Sequence, residues 1–173
     1  MRTTEGHPEP EWSMRPARPA DVEAIAELRA VVMRPDLERL GRYDEHRVRQ
    51  RLRDGFSPRH TWVITSAGAF AGSVCLRPSE NGHWLEHFYL IPALQGRGLG
   101  SAVLRTLLST TDVSGDLVRL NVLQGSPARH LYERHGFTVE TQNPIDVFML
   151  RHPATQLTDP GSAQAAAMTE ESQ

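Results

Sequence analysis

The sequence predicts an α+β domain, a mixed sheet of the α/β kind with helices on its faces. Three observations lead there. Apolar residues recur near the start with a helical period of about 3.6, alternate in the middle with a strand period of about two, and return to mixed elements after a glycine-rich loop. At 173 residues, 39% of them hydrophobic and 23% charged, the chain suits one domain with a substantial core.

Each element follows in order. "SMRPAR" reads as a short first strand. In "PARPADVEAIAELRAVVM", Val22, Ile25, Ala26, Leu28, Val32 and Met33 fall at helical spacing, predicting a helix over 20–33 with Asp21 as cap or first-turn carboxylate. "DLERLGRYDEHRVRQRLRDGF" places Leu37, Leu40, Tyr43, Val48 and Leu52 for one or two short helices ending at Gly55. The period then changes. "HTWVITSAGAFAGSVCLRPSENGHWLEHFYLI" predicts three antiparallel strands turned at "SAG" and "SENG". A glycine loop, a helix over Ser101 to Leu108 and a strand at 117–123 come next. A further helix is opened by Ser126 and Pro127 and closed by Gly136, and strands at Thr138 to Thr141 and 147–151 finish the domain.

Composition narrows the function. A formal charge of −2 lacks the basic excess of a nucleic-acid or membrane-surface protein, so neither partner is expected. All 19 basic residues are Arg, which excludes a Schiff-base lysine and a P-loop lysine and fits a GC-rich bacterial genome. Cys75, the single cysteine, excludes an intrachain disulfide and reads as a small buried hydrophobe. The histidines at 46, 60, 83, 87, 130, 135 and 152 show no metal-ligand spacing, and no metal is expected. Residues 1–13 and 152–173 are too polar to fold and are expected to be disordered, leaving a domain over 14–151. With no signal-peptide core or membrane span in this sequence, the cytoplasm is the default compartment.

The informative stretch is "YLIPALQGRGLGSAVLRTLL". Gly96, Gly98 and Gly100 precede a periodic helix, so consecutive backbone N–H groups and a helix N-terminus converge on one spot, which suits a diphosphate, and Arg97 adds a cation. Ser101 stands where a dinucleotide fingerprint needs its third glycine, the preceding strands form a meander, and no Gly-Lys-Ser/Thr follows. Rossmann and P-loop readings both fail.

Gln95-Gly96-Arg97-Gly98-Leu99-Gly100 resembles the Gln/Arg-x-x-Gly-x-Gly/Ala signature of the GCN5-related N-acetyltransferases, and "FYLIP" before it matches the strand and proline of that family. "ARHLYERHGF" is independently similar to the family's Ala-x-x-Leu-Tyr-x-x-x-Gly-Phe segment. The resemblance covers roughly residues 14 to 151 and implies mostly antiparallel strands, a splayed central pair, and helices on both faces.

It also implies acetyl-CoA as co-substrate, with the diphosphate on the amides of Gln95, Gly96, Arg97, Gly98, Leu99, Gly100 and Ser101. The pantetheine arm would lie between the strands near 84–91 and 117–123 and pair with main-chain groups near Phe88 and Leu90. Tyr132 occupies the general-acid position, although its ring could instead simply pack beneath Phe137. The family often has Asn three residues before Ala128; here that position is Gly125, and Asn121 is a substitute amide or an ordinary solvent-facing residue.

A protonated amine is not a nucleophile, so a base is needed. Glu86 is favoured over His87, the two pointing to opposite faces of a regular strand unless a bulge intervenes, with backbone carbonyls and water as the competing route. The segment "MRPDLERLGRYDEHRVR" would cover the acceptor end, where Arg34 or Arg42 could clamp an acceptor carboxylate, and Tyr43 and His87 could also contact it, unless these polar residues form a solvated helix face. The expected activity is transfer of acetyl to a primary amine of a small polar molecule by direct attack in a ternary complex. An acyl-CoA-binding sensor and a protein or peptide N-acetyltransferase are the rivals, and a homodimer is expected only by analogy.

Overall fold

A computed structural model describes residues 11–154. Seven strands form one sheet in the order β1-β2-β3-β4-β5-β7-β6: β1 (Trp12–Pro16), β2 (Thr61–Ser66), β3 (Ala69–Ser79), β4 (Gly82–Leu90), β5 (Val118–Leu123), β6 (Thr138–Gln142) and β7 (Asp146–Arg151). Every neighbouring pair is antiparallel except β4 and β5, which run parallel. The predicted mixed, mostly antiparallel sheet is present. Strand β1 begins at Trp12, two residues before the expected boundary, because Trp12 and Ser13 pair with Ser66 and Thr65. The remainder of the two segments expected to be disordered, 1–10 and 155–173, lies outside the described residues.

Alternation along the strands sorts the core into two layers. Ile64, Val74, Leu85, Leu120 and Met149 join Val103, Leu104, Leu107 and Leu108 of helix α3 (Leu99–Ser114) and Tyr132 of helix α4 (Ala128–Arg134). On the opposite face Val63 packs with Ile25 and Ala26 of helix α1 (Val22–Arg39) and Leu52 of helix α2 (Glu45–Gly55). Leu104 is fully buried at the α3–sheet contact. Leu104→Ala is expected to lower the unfolding free energy by about 2–5 kcal/mol, measured by urea titration with an unchanged m-value.

Two helices run past their expected ends: α3 spans Leu99–Ser114 around the expected Ser101 to Leu108, and α1 also continues further. The sequence places a helix over 20–33 and one or two short helices after it, whereas α1 runs to Arg39 with Pro35 inside it. A proline interrupts only one hydrogen bond, and the helix closes beyond it, with the amide of Leu40 donating to Asp36 (3.1 Å) and that of Arg42 to Leu37 (2.7 Å). Helix α2 is capped by Asp44, whose carboxylate accepts from the Arg47 amide at 2.7 Å. Helix α4 is opened by Ser126 and followed by Gly136, as read from the sequence.

Two features of the sheet make the site. Strands β4 and β5 pair only at His83 with Val118, Trp84 with Arg119 and Leu85 with Leu120, and then diverge. Strand β4 also carries a bulge: Ser73 opposes Tyr89 and Cys75 opposes Glu86, so Val74 faces two residues, His87 and Phe88. His87 sits at φ 48°, a conformation uncommon for a residue with a side chain.

Candidate active site

The gap between β4 and β5 opens into a cleft of about 490 Å³, lined on one side by Leu85 to Tyr89 and on the other by Asn121 to Leu123, with Tyr132 from α4. Helices α1 and α2 close the far end. The bulge has a direct consequence. Leu85, Phe88 and Leu90 pack with the α3 layer and Tyr89 with the α1 layer, so the alternation slips by one between Leu85 and Phe88. Glu86 and His87 therefore both line the cleft. The regular-strand expectation, with one of the two turned away, does not apply.

Glu86 is held by Arg77, whose Nη2 and Nε donate to it at 2.8 and 3.2 Å. Nδ1 of His87 lies 3.2 Å from the Tyr89 hydroxyl. Burial holds the His87 imidazole below its ordinary pKa, so it is neutral at neutral pH and able to accept a proton. The Tyr89 hydroxyl also accepts from Nε of Arg29 at 3.1 Å, and Arg29 donates again to the Val48 carbonyl.

Tyr132 is buried, its ring edge-on to Phe137 with centroids 5.7 Å apart. Its position thus combines the packing and the cleft-facing readings. Its hydroxyl has no hydrogen-bond partner among the described residues, and burial, reinforced by Tyr89, pushes the phenol far above its ordinary pKa. It stays protonated at any physiological pH.

The glycine loop follows β4 directly. Gly96 and Gly98 adopt φ 71° and 85°, and Gly98 is the N-cap of α3. The first donor within the helix is Ala102, to Gly98 at 3.0 Å; among the described residues the N–H groups of Gly96 to Ser101 donate to no backbone acceptor. Gln95 uses its amide to Pro92 and its side chain to the Leu90 carbonyl (3.0 Å), which takes one of the Leu90 groups expected to serve the pantetheine arm. Residues 95–98 are exposed. Such a row of free amides at a helix N-terminus is an anion cradle.

Asn121 lines the cleft, with its amide donating to Asp146 at 3.2 Å. Gly125, read from the sequence as a lost contact, has a positive requirement of its own: φ is 75°, and a β-carbon there would lie 2.8 Å from Nη2 of Arg39. Arg39 crosses at that point to donate to the Gln124 carbonyl, tying the end of α1 to the β5–α4 loop.

Of the expected acceptor residues, Arg42 and His87 line the cleft. Arg34 and Tyr43 do not. Arg34 pairs with Glu38 at 2.7 Å and lies 4.8 Å over the Tyr43 ring, so the two satisfy each other at the surface. The sequence reading missed Arg29, although a signal existed, since it extends the stripe Val22, Ile25, Ala26, Val32, Met33 on the buried face of α1. Among the described residues no cluster of three or more His, Cys, Asp or Glu could hold a metal ion, and no helix is long and apolar enough to cross a membrane. Cys75 is buried, and burial pushes its thiol up, away from reactivity.

A mixed sheet parted at its parallel pair, with free amides at the head of the next helix, can take an extended ligand that ends in an anion. Residues 57–139 match the family model described as the acetyltransferase (GNAT) domain. That match covers just under half of the chain, which over those residues resembles the GNAT acetyltransferases. No curated protein matches the sequence. Among solved structures it is similar in fold to a PaiA N-acetyltransferase from Thermoplasma acidophilum, determined in complex with coenzyme A (20% identity, TM-score 0.67, 82% of this chain and 98% of that one). It is likewise similar to the ribosomal-protein-S18-alanine N-acetyltransferase of Escherichia coli (17%, 0.64, 86% and 97%). A third is Ard1 from Thermoplasma volcanium (20%, 0.62, 84% and 99%).

Proposed function

We propose that the protein transfers the acetyl group of acetyl-CoA to a primary amine of a small polar molecule, by direct attack within a ternary complex. The observation that carries this reading is the convergence of Glu86, His87 and Tyr132 on one cleft where β4 and β5 part. The free amides of Gly96 to Ser101 hold the diphosphate, and the unpaired edge of β4 beyond Leu85 receives the amides of the arm. A backbone N–H near Phe88 polarises the thioester carbonyl. Asn121, at the opposite edge, offers its side chain to the arm.

Proton traffic then divides between two residues. Glu86 takes the proton from the attacking ammonium, directly or through a water, so that the new C–N bond forms from a free lone pair. Tyr132 gives its hydroxyl hydrogen to the sulfur as the C–S bond breaks and regains one, directly or through water, from the nitrogen, which sheds its second proton as the amide forms. Arg77 orients Glu86 through two hydrogen bonds.

Glu86→Gln is expected to lower kcat at neutral pH by about 100-fold, with the deficit shrinking as pH rises toward the acceptor's own pKa. A pH-rate profile checks this, and an unchanged kcat would move the proton to His87 or to water. Thiol release from acetyl-CoA across a panel of amines tests the reading as a whole. Tight CoA binding with no turnover would identify a sensor, and turnover on peptides alone would identify a protein acetyltransferase.

A further inference from the structure

The acceptor end of the cleft carries an unbalanced positive charge. Arg29 is only 8% exposed, and its two hydrogen bonds go to a phenol and a main-chain carbonyl. A guanidinium does not lose its proton in a protein, and a buried cation without a counter-ion is costly. Arg42, Arg47 and Arg51 line the same end. None of the four forms an ion pair among the described residues.

The contrast within α2 is informative. Arg49 and Arg53 pair with Glu27 and Glu23 of α1 at 2.7 and 2.9 Å, whereas Arg47 and Arg51 face the cleft with no acid to meet. The acids that line the cleft are engaged elsewhere: Asp36 with Arg39 (2.6 Å), Glu86 with Arg77 (2.8 Å), and Asp146 with the Asn121 amide (3.2 Å). His87 adds no positive charge, since its burial keeps it neutral.

We propose that the acceptor is an anionic amine whose carboxylate or phosphate binds between Arg29 and the rim formed by Arg42, Arg47 and Arg51. This rests on the acetyl-transfer reading of the cleft and narrows its substrate class. The fork of a guanidinium matches either oxyanion, and the buried Arg29 supplies a cation that water does not screen. The anion anchors one end of the molecule while its ammonium reaches Glu86 and His87.

The test separates binding from turnover. CoA-saturated protein is titrated calorimetrically with N-acetylated amino acids as free acids, with the same compounds as carboxamides, and with N-acetylethanolamine phosphate. The acids or the phosphate are expected to bind at least about ten-fold more tightly than the amides, and whichever class does so identifies the anion. In a variant carrying Arg47→Gln and Arg51→Gln, both exposed positions whose loss leaves the core intact, the preference is expected to fall to about three-fold or less, as it also should in high salt. Amides that bind as well as the acids, or no binding by any of these probes, would overturn the proposal. Amine turnover is measured in parallel. Acetylation of neutral amines without anion preference sinks the proposal alone, whereas anion-selective binding with no turnover on any amine sinks acetyl transfer and leaves the anion site standing.

Discussion

Tyr132→Phe is expected to lower kcat by about 100-fold or more while leaving CoA affinity close to native. The substitution removes one oxygen and keeps the ring that meets Phe137 edge-on. No protein group loses a hydrogen-bond partner, because the hydroxyl has none among the described residues, so stability should change by about 1 kcal/mol at most. Since burial raises the Tyr132 pKa, the phenol contributes no basic limb to the pH-rate profile below its ordinary value of about 10. A stopped-flow or thiol-release assay beside a denaturant titration reads both quantities. Equal losses in rate and stability would mean that Tyr132 is only a core residue.

Gly98→Val is the second large effect, and it acts on binding. Gly98 lies at φ 85° in the left-handed region, where a β-branched residue is strained by about 1–3 kcal/mol. Nothing lies within 4 Å of the position a β-carbon would take, so the cost comes from the backbone and not from a clash. Relief of that strain would turn the amides of Gly98 to Ser101 away from a common focus. CoA affinity should weaken about 10- to 100-fold, following the strain energy at roughly 1.4 kcal/mol per decade. Gly98→Ala, with less crowding at the α-carbon, should fall between the two. Calorimetric titration with CoA measures the series.

Much of this architecture was readable from residues alone. The order of strands and helices follows from the change in apolar period, and the glycine loop announced its cradle because Gly96 and Gly98 occupy conformations that side chains avoid. The segment from Ala128 to Phe137 carried its own start and stop signals. What escaped the sequence depends on contacts between distant residues. The bulge at His87 exists because β3 and β4 pair out of step, and no local composition encodes that slip. Arg34 and Tyr43 looked like acceptor ligands because they are polar and adjacent to the cleft; only the fold shows that they stack on each other. Arg29 was overlooked for the opposite reason, as a charged residue inside an apolar stripe. Gly125 took its meaning from Arg39, far away along the chain.

The whole account turns on where the diphosphate sits. Backbone amide resonances followed by NMR during a CoA titration give the most direct reading. Large shifts of Gly96, Gly98, Leu99, Gly100 and Ser101 are predicted with CoA, and much smaller ones with pantetheine, which has no diphosphate. Saturation by CoA with those amides unmoved would contradict it.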